Sequence, residues 1–158
     1  MAKAASPAPG QWAALADLPE EARQAAMRQR YEEIARLSDN ERVAVFSDMT
    51  QEEYQLPEDK LLAFTQSRLL VWLALGPEAA QKVAHGYDEA VSRLPASQAM
   101  RRVSSVQTVL RNFTSAQVER LDQLIPSITR EVPRRPQALT PATKPPRVHK
   151  KKRWWKFW

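Results

Sequence analysis

Few side chains in this sequence have the types and spacing that catalysis requires. His85 is the only histidine before residue 149, and it stands in the segment His85-Gly86-Tyr87-Asp88. A general base could be built there, because Asp88 or Glu89 would lie near the imidazole at helical spacing. However, no metal ligand and no hydroxyl nucleophile stands at a defined spacing from it. We therefore expect His85 to lie beside a buried apolar stripe as a structural residue, and we predict no catalytic residue and no enzymatic activity.

Five pairs of adjacent acidic residues are the next candidates, since carboxylates can hold metal ions. A di-metal carboxylate bundle also needs a Glu-x-x-His motif from each of two helices, and the sequence contains none. The chain has no cysteine, no P-loop, no Gly-x-Gly-x-x-Gly and no Gly-x-Ser-x-Gly. We predict no metal, no cofactor and no small-molecule substrate. The acidic pairs are expected to be first-turn and solvent-facing charges: Glu20-Glu21, Glu32-Glu33, Glu52-Glu53, Glu58-Asp59 and Asp88-Glu89.

The densest chemistry lies in residues 150–158, which we call the tail. Its indoles and phenyl ring cannot bury themselves among its cations, and exposed aromatic clusters normally mark a binding surface. Cations mixed with tryptophan are typical of segments that bind an anionic lipid headgroup layer above an apolar layer. We predict that the tail attaches the protein to an anionic membrane surface through Lys150, Lys151, Lys152, Arg153, Trp154, Trp155, Lys156, Phe157 and Trp158.

Other uses of the tail remain open at this stage. It could be a docking peptide whose aromatic end enters a pocket on a protein partner. It could clamp single-stranded nucleic acid, with lysines on phosphates and tryptophans stacked on bases, although an acidic body would repel phosphate. It could also fold back onto the body and cap the bundle, or be an appended sequence without a function of its own.

Charge divides the chain into two parts. The chain has 24 basic and 18 acidic residues, a net charge of +6. From Pro133 onward there are nine cations and no acid, so residues 1–132 carry about −3 and the remainder +9. This asymmetry is typical of a partner-seeking tail on an acidic domain, and a uniformly basic nucleic-acid-binding domain would look different. The longest apolar run, residues 69–75, is too short for a bilayer, which needs about 20 residues.

The residues before Pro133 are expected to form helices. Only three glycines occur, few for a β-rich domain with many tight turns. Signals for helix starts recur every 18 to 20 residues, at Pro19, Ser38, Pro57, Pro77, Pro95 and Thr114. We predict an all-α fold, a compact bundle of five to six short helices, with a helical repeat array as the alternative.

Within this bundle, the segment after Ser38 could break at Thr50, because Thr50 and Glu53 have the capping-box spacing. The pieces would then be residues 39–49 and 51–55. Residues 61–75 are apolar on most sides, which predicts the central helix. Three stripes of apolar residues predict the buried faces of later helices: Ala80, Val83, Ala84, Tyr87, Val91 and Leu94; Met100, Val103, Val106, Leu110 and Phe113; Val118, Leu121, Leu124, Ile125 and Ile128.

Two further groups complete the predictions for the body. Trp12 and Trp72 are expected in the core. Arg101, Arg102 and Arg111 are expected to form a solvated basic patch on the fifth helix, with contact to an acidic partner as the alternative.

The predicted organisation is a disordered N-terminus (1–10), a helical domain (11–132), a proline-rich disordered linker (133–149) and the tail (150–158). Residues 1–10 lack the apolar stretch of a secretory signal. At about 3.1 Å per residue, the linker could reach about 50 Å. We predict a cytoplasmic, non-enzymatic adaptor or scaffold, peripheral at the membrane, whose tail binds anionic lipid while the bundle binds a protein partner.

Overall fold

The computed structural model describes residues 11–125, and within that range it contains helices and no strands. The prediction of an all-α bundle is confirmed for this range, which holds seven α-helices instead of five or six. The predicted N-terminus, linker and tail lie outside the described residues, as do residues 126–132 of the predicted domain. The elements are α1 (Gln11–Ala14), a 3₁₀ turn (Leu15–Asp17), α2 (Glu20–Ala35), α3 (Asp39–Glu53), α4 (Glu58–Ala74), α5 (Pro77–Val91), α6 (Ala96–Leu110) and α7 (Ser115–Leu124).

All six predicted helix starts are confirmed. Ser38 precedes α3 and forms a capping box, in which its hydroxyl accepts from the Glu41 amide and the Glu41 carboxylate accepts from the Ser38 amide. Thr114 and Gln117 form the same reciprocal pair at the start of α7. These side chains satisfy backbone donors that the first helical turn leaves without partners, so the local sequence fixes where each helix begins.

The predicted break at Thr50 is wrong, because α3 runs without interruption to Glu53. Thr50 is fully buried, and its hydroxyl donates to the Ser47 carbonyl 3.1 Å away, inside the helix. The carboxylate of Glu53 is turned into the core, where it meets Arg68. Neither side chain of the apparent capping box is therefore available to cap a new helix.

The core is built around α4, which confirms the predicted central helix. This helix contacts α2, α5, α6, α7 and the 3₁₀ turn. Edge-to-face aromatic contacts run through the interior: the Trp12 ring lies 5.5 Å from Tyr31 and 5.3 Å from Phe64, and Trp72 lies 4.9 Å from Tyr87. Trp12 and Trp72 are both buried, as predicted. Aromatic pairs in this geometry add to the stabilisation that burial already provides.

Arginines close two of the helix ends. Arg42 is buried and donates to three carbonyls at the end of α2, at 3.3, 3.2 and 2.6 Å (Ile34, Ala35 and Leu37). Arg101 donates to the carbonyls of Tyr54 and Leu56, at 2.5 and 2.6 Å, just after α3. A guanidinium is suited to this task, since several donors on one planar group reach the carbonyls at and just after a helix end.

The predicted basic patch is therefore wrong for two of its three members. Arg102 is buried, and Arg101 is half-buried against the backbone after α3. Only Arg111 is exposed, at the end of α6, which is the sixth α-helix instead of the fifth. Within residues 11–125, no helix is both long enough and apolar enough to cross a bilayer.

Candidate functional site

A buried ion pair stands at the centre of the bundle. Glu53, expected to face solvent, is fully buried and paired with Arg68, whose side chain is 1% exposed. The guanidinium carbon of Arg68 lies 4.7 Å from the centroid of the Tyr87 ring and 5.5 Å from that of Trp72. The Tyr87 hydroxyl donates to Oε1 of Glu53 at 3.4 Å, and it lies 2.6 Å from the hydroxyl of Tyr54.

Three helices bring this cluster together. Glu53 ends α3, Arg68 lies in α4, and Tyr87 lies in α5. The neighbouring Gly86 allows α5 to approach α3 closely. A Cβ at Gly86 would stand 2.9 Å from Cδ of Arg42 and 3.3 Å from Cδ2 of Phe46. The absence of a side chain at Gly86 therefore lets Tyr87 reach the carboxylate.

The cluster is closed to solvent and has the character of a structural element. Burial raises the pKa of Tyr54 and of Tyr31 well above the ordinary value for tyrosine, so both hydroxyls stay protonated. No member of the cluster lies at the surface. The desolvation of a buried pair of this kind offsets much of the attraction between its charges, so removing one partner costs far more than the pair contributes to net stability.

His85 does not belong to this cluster. It is exposed on α5, whereas its neighbours Ala84, Gly86 and Tyr87 are buried. In the part of the chain that the structure describes, no group of three or more histidine, cysteine, aspartate or glutamate side chains is placed to hold a metal ion. The other predicted acidic pairs stand at helix ends and on outer faces. Glu20, Glu21, Glu58 and Asp59 are exposed in the first turns of α2 and α4.

A groove lies between α5 and α6 on the described surface. It encloses about 640 Å³ and is lined by Asp88, Val91, Ser92, Leu94, Ala99, Met100, Arg102, Val103, Ser104 and Gln107. We call it the α5–α6 groove. Met100 was expected on the buried stripe of its helix, but its side chain is 74% exposed beside the groove. Val103 and Leu94 are half-buried. The buried residues of α6 begin only at Arg102, so within residues 11–125 the stripe is not covered at Met100.

Polar groups accompany this apolar surface. Asp88 is 42% exposed, and its carboxylate lies 3.9 Å from Nη2 of Arg102, whose side chain is 6% exposed. Glu89, which is 46% exposed, follows Asp88 on α5 and pairs with Arg93 at 3.3 Å. The groove therefore combines an exposed methionine and half-buried aliphatic side chains with a carboxylate that is paired with an arginine of the same groove.

The exposed side chains of the described domain carry a larger negative net charge than all side chains of residues 11–125 together. Residues 11–125 contain 13 basic and 17 acidic side chains, a net charge of −4. Four of the basic side chains are buried (Arg23, Arg42, Arg68 and Arg102), but only one acidic side chain, Glu53, is buried. Nine basic and sixteen acidic groups remain at least partly exposed, an excess of seven negative charges. The excess is largest in α3, which contains five acidic residues and one arginine.

The nine predicted binding residues, 150–158, lie outside the described part of the chain, so the structure places none of them. No family model matches this sequence, and neither a curated protein nor a solved structure is detectably similar to it.

Proposed function

We propose that this protein is a non-enzymatic adaptor that the tail attaches to the anionic cytoplasmic face of a membrane, while the helical domain binds a protein partner. The observation that carries the proposal is the division of charge. The described domain exposes an excess of acidic groups, whereas residues 133–158 carry nine cations and no acid. An anionic surface attracts the second part of the chain and repels the first.

Two contributions favour lipid. The five cations of the tail, together with Lys144 and Arg147 before it, could contribute about 7 kcal/mol at about 1 kcal/mol each, before losses to salt screening and to ordering of the segment. Three tryptophans and Phe157 add interfacial burial. A basic cluster together with an apolar anchor satisfies the requirement for two signals that durable peripheral attachment imposes. Either term alone would give only weak and reversible binding.

The helical domain supplies the second activity of an adaptor. Its buried cluster is sealed, so a partner must bind at the surface. In the described part of the chain, the α5–α6 groove exposes apolar side chains to solvent, above all Met100. Exposed methionine adapts to partners of different shapes, which suits a surface for protein contacts.

The experiment that tests this function is co-sedimentation of the full chain with vesicles. Binding to vesicles that contain phosphatidylserine should be strong, should weaken as salt rises and should be nearly absent with neutral phosphatidylcholine vesicles. An excess of single-stranded oligonucleotide separates the lipid role from a nucleic-acid clamp. If the oligonucleotide displaces the protein from the vesicles, a single-stranded nucleic-acid clamp explains the tail better than a lipid anchor does.

A further inference from the structure

We infer that the α5–α6 groove is a docking site for the tail of the same chain, so that the molecule covers its own membrane anchor when no anionic surface is near. The inference concerns regulation of the tail. Its consequence for membranes depends on the proposed function, but the docking itself does not.

The chemistry of the groove matches that of the tail. Met100 presents a polarisable thioether, 74% exposed, next to the half-buried Val103 and Leu94. Sulfur makes favourable contacts with aromatic rings, and residues 154–158 contain three tryptophans and one phenylalanine. Indole rings placed in the groove would remove apolar surface of the groove and of the tail from water at the same time.

Charge favours the same occupant. At the groove itself, Asp88 already pairs with Arg102 at 3.9 Å, and Glu89 beside it pairs with Arg93 at 3.3 Å. The attraction therefore comes from the exposed surface of residues 11–125 as a whole, which carries seven more acidic than basic groups, whereas the tail carries lysine or arginine at five of its nine positions. An aromatic group in the groove would hold the neighbouring cations against this acidic surface.

The chain is long enough to return to the groove. Ile125 ends the described domain, just after α7. Helix α7 packs against α4 and α5, and α5 forms one wall of the groove. Residues 126–149 connect Ile125 to the tail, and at about 3.1 Å each they could span about 75 Å. The radius of gyration of a domain of this size is about 13 Å, so the connection reaches any point on its surface. The high effective concentration of a tethered segment allows even a weak contact to be occupied.

Docking would lower the affinity of the protein for lipid, because the two sites compete for the same residues. A vesicle would bind only the molecules whose tail is released. If nine-tenths of the molecules hold a docked tail, the apparent dissociation constant for vesicles rises about tenfold. A partner that occupies the groove would release the tail and thereby couple partner binding to membrane attachment.

The direct test uses the methionine methyl groups of the full chain as NMR probes. Deletion of residues 150–158 should move the Met100 methyl signal, since stacked indole rings would no longer lie beside it. Met27 and Met49, both buried, are internal controls whose signals should stay in place. An unchanged Met100 signal would overturn the inference. Full-chain spectra at a series of protein concentrations show whether the tail is contributed by the same molecule, and a Met100 shift that disappears on dilution would also overturn it.

A variant gives the functional test. Met100→Lys removes the thioether and adds a cation that repels the tail, so the full-length variant should bind phosphatidylserine vesicles severalfold more tightly than the parent protein. Leu18→Lys is the matched control, because Leu18 is the other large exposed apolar side chain among residues 11–125 and does not line the groove. Equal affinity of the Met100→Lys variant and the parent would count against docking.

The two accounts can fail separately. An unchanged Met100 signal in a protein that still needs its tail for vesicle binding would refute the docking and leave the membrane role intact. A Met100 shift in a protein that ignores anionic vesicles would support the docking and refute the membrane role.

Discussion

Arg68 and Glu53 form an ion pair in which neither side chain reaches solvent, with Arg68 in α4 and Glu53 at the last position of α3. The pair is enclosed by the rings of Tyr87 and Trp72. Two charges are costly to remove from water, and their mutual attraction offsets that cost only in good geometry. The arrangement therefore ties the end of α3 to the middle of the central helix and penalises any packing that separates them.

Removing one partner of this pair should destabilise the domain strongly. In Glu53→Gln the Arg68 charge stays buried without a counter-charge, and we expect a loss of about 3–5 kcal/mol in the free energy of unfolding. Urea unfolding measures it. Glu78→Gln breaks the exposed Glu78–Lys82 pair and should leave stability almost unchanged. The double change Glu53→Leu with Arg68→Met should be less damaging than Glu53→Gln; equal or greater damage would show that the pair is not the cause.

The close approach of α5 to α3 predicts opposite outcomes for two glycines. Gly86→Ala would place a methyl group 2.9 Å from Cδ of Arg42, and Arg42 is held by carbonyls at the end of α2. We expect a loss of about 1–3 kcal/mol, although alanine favours helix by about 1 kcal/mol. Gly76→Ala meets no atom within 4 Å and should be neutral or slightly stabilising. Thermal unfolding of both variants checks this, and a stabilised Gly86→Ala variant would contradict the packing.

Alkaline pH should destabilise the domain through its buried tyrosines. Burial raises the pKa of Tyr31 and Tyr54 in the folded state above the ordinary value of about 10, so their stabilising effect is complete below pH 10. As pH rises further, only the unfolded state loses these protons, and stability should fall by about 1.4 kcal/mol per pH unit for each tyrosine.

Urea unfolding at several pH values measures this slope. Tyr31→Phe keeps the ring and removes the hydroxyl, so the dependence of the unfolding free energy on pH should lose the contribution of one tyrosine. The ultraviolet absorbance of tyrosinate provides an independent reading, and ionisation of all three tyrosines near pH 10 in the folded protein would refute the prediction.

The cations of the tail should contribute to lipid binding roughly in proportion to their number. Replacing Lys150, Lys151 and Lys152 with glutamine should weaken binding to phosphatidylserine vesicles by about 3 kcal/mol at low salt, on the order of a hundredfold. Lys82→Gln changes an exposed lysine of the domain and is the control. If Lys82→Gln weakens binding as much as the three tail changes together, the helical domain, and not the tail, would be the lipid-binding surface.

The sequence predicted the positions of the helices well because their signals are local. Ser38 and Thr114 each form a capping box with a residue three positions later, and a proline lies at each of the other helix starts. The stripe that includes Val83, Ala84 and Tyr87 is a buried face because α5 packs it against α2 and α3.

The predictions that failed depend on contacts between distant residues. Glu53 resembles a surface acid until Arg68 is brought beside it by the packing of α3 on the rest of the bundle. A signal was present, since Arg68 follows Phe64 and precedes Trp72 at intervals of four, which places it on the apolar face of α4. The prediction for Met100 failed in the opposite direction, since this residue was expected to be buried and is exposed. Periodicity predicts which face of a helix is apolar, but not whether another helix covers that face.

Vesicle binding by a truncated chain is the most direct test of the central proposal. The full chain and residues 1–149 should be compared on phosphatidylserine and phosphatidylcholine vesicles at equal protein concentration, with circular dichroism to verify that both are folded. We predict that the full chain binds only the anionic vesicles and that the truncated chain binds neither. Anionic binding that survives the truncation, or its absence in both chains, would contradict the claim that the tail is a membrane anchor.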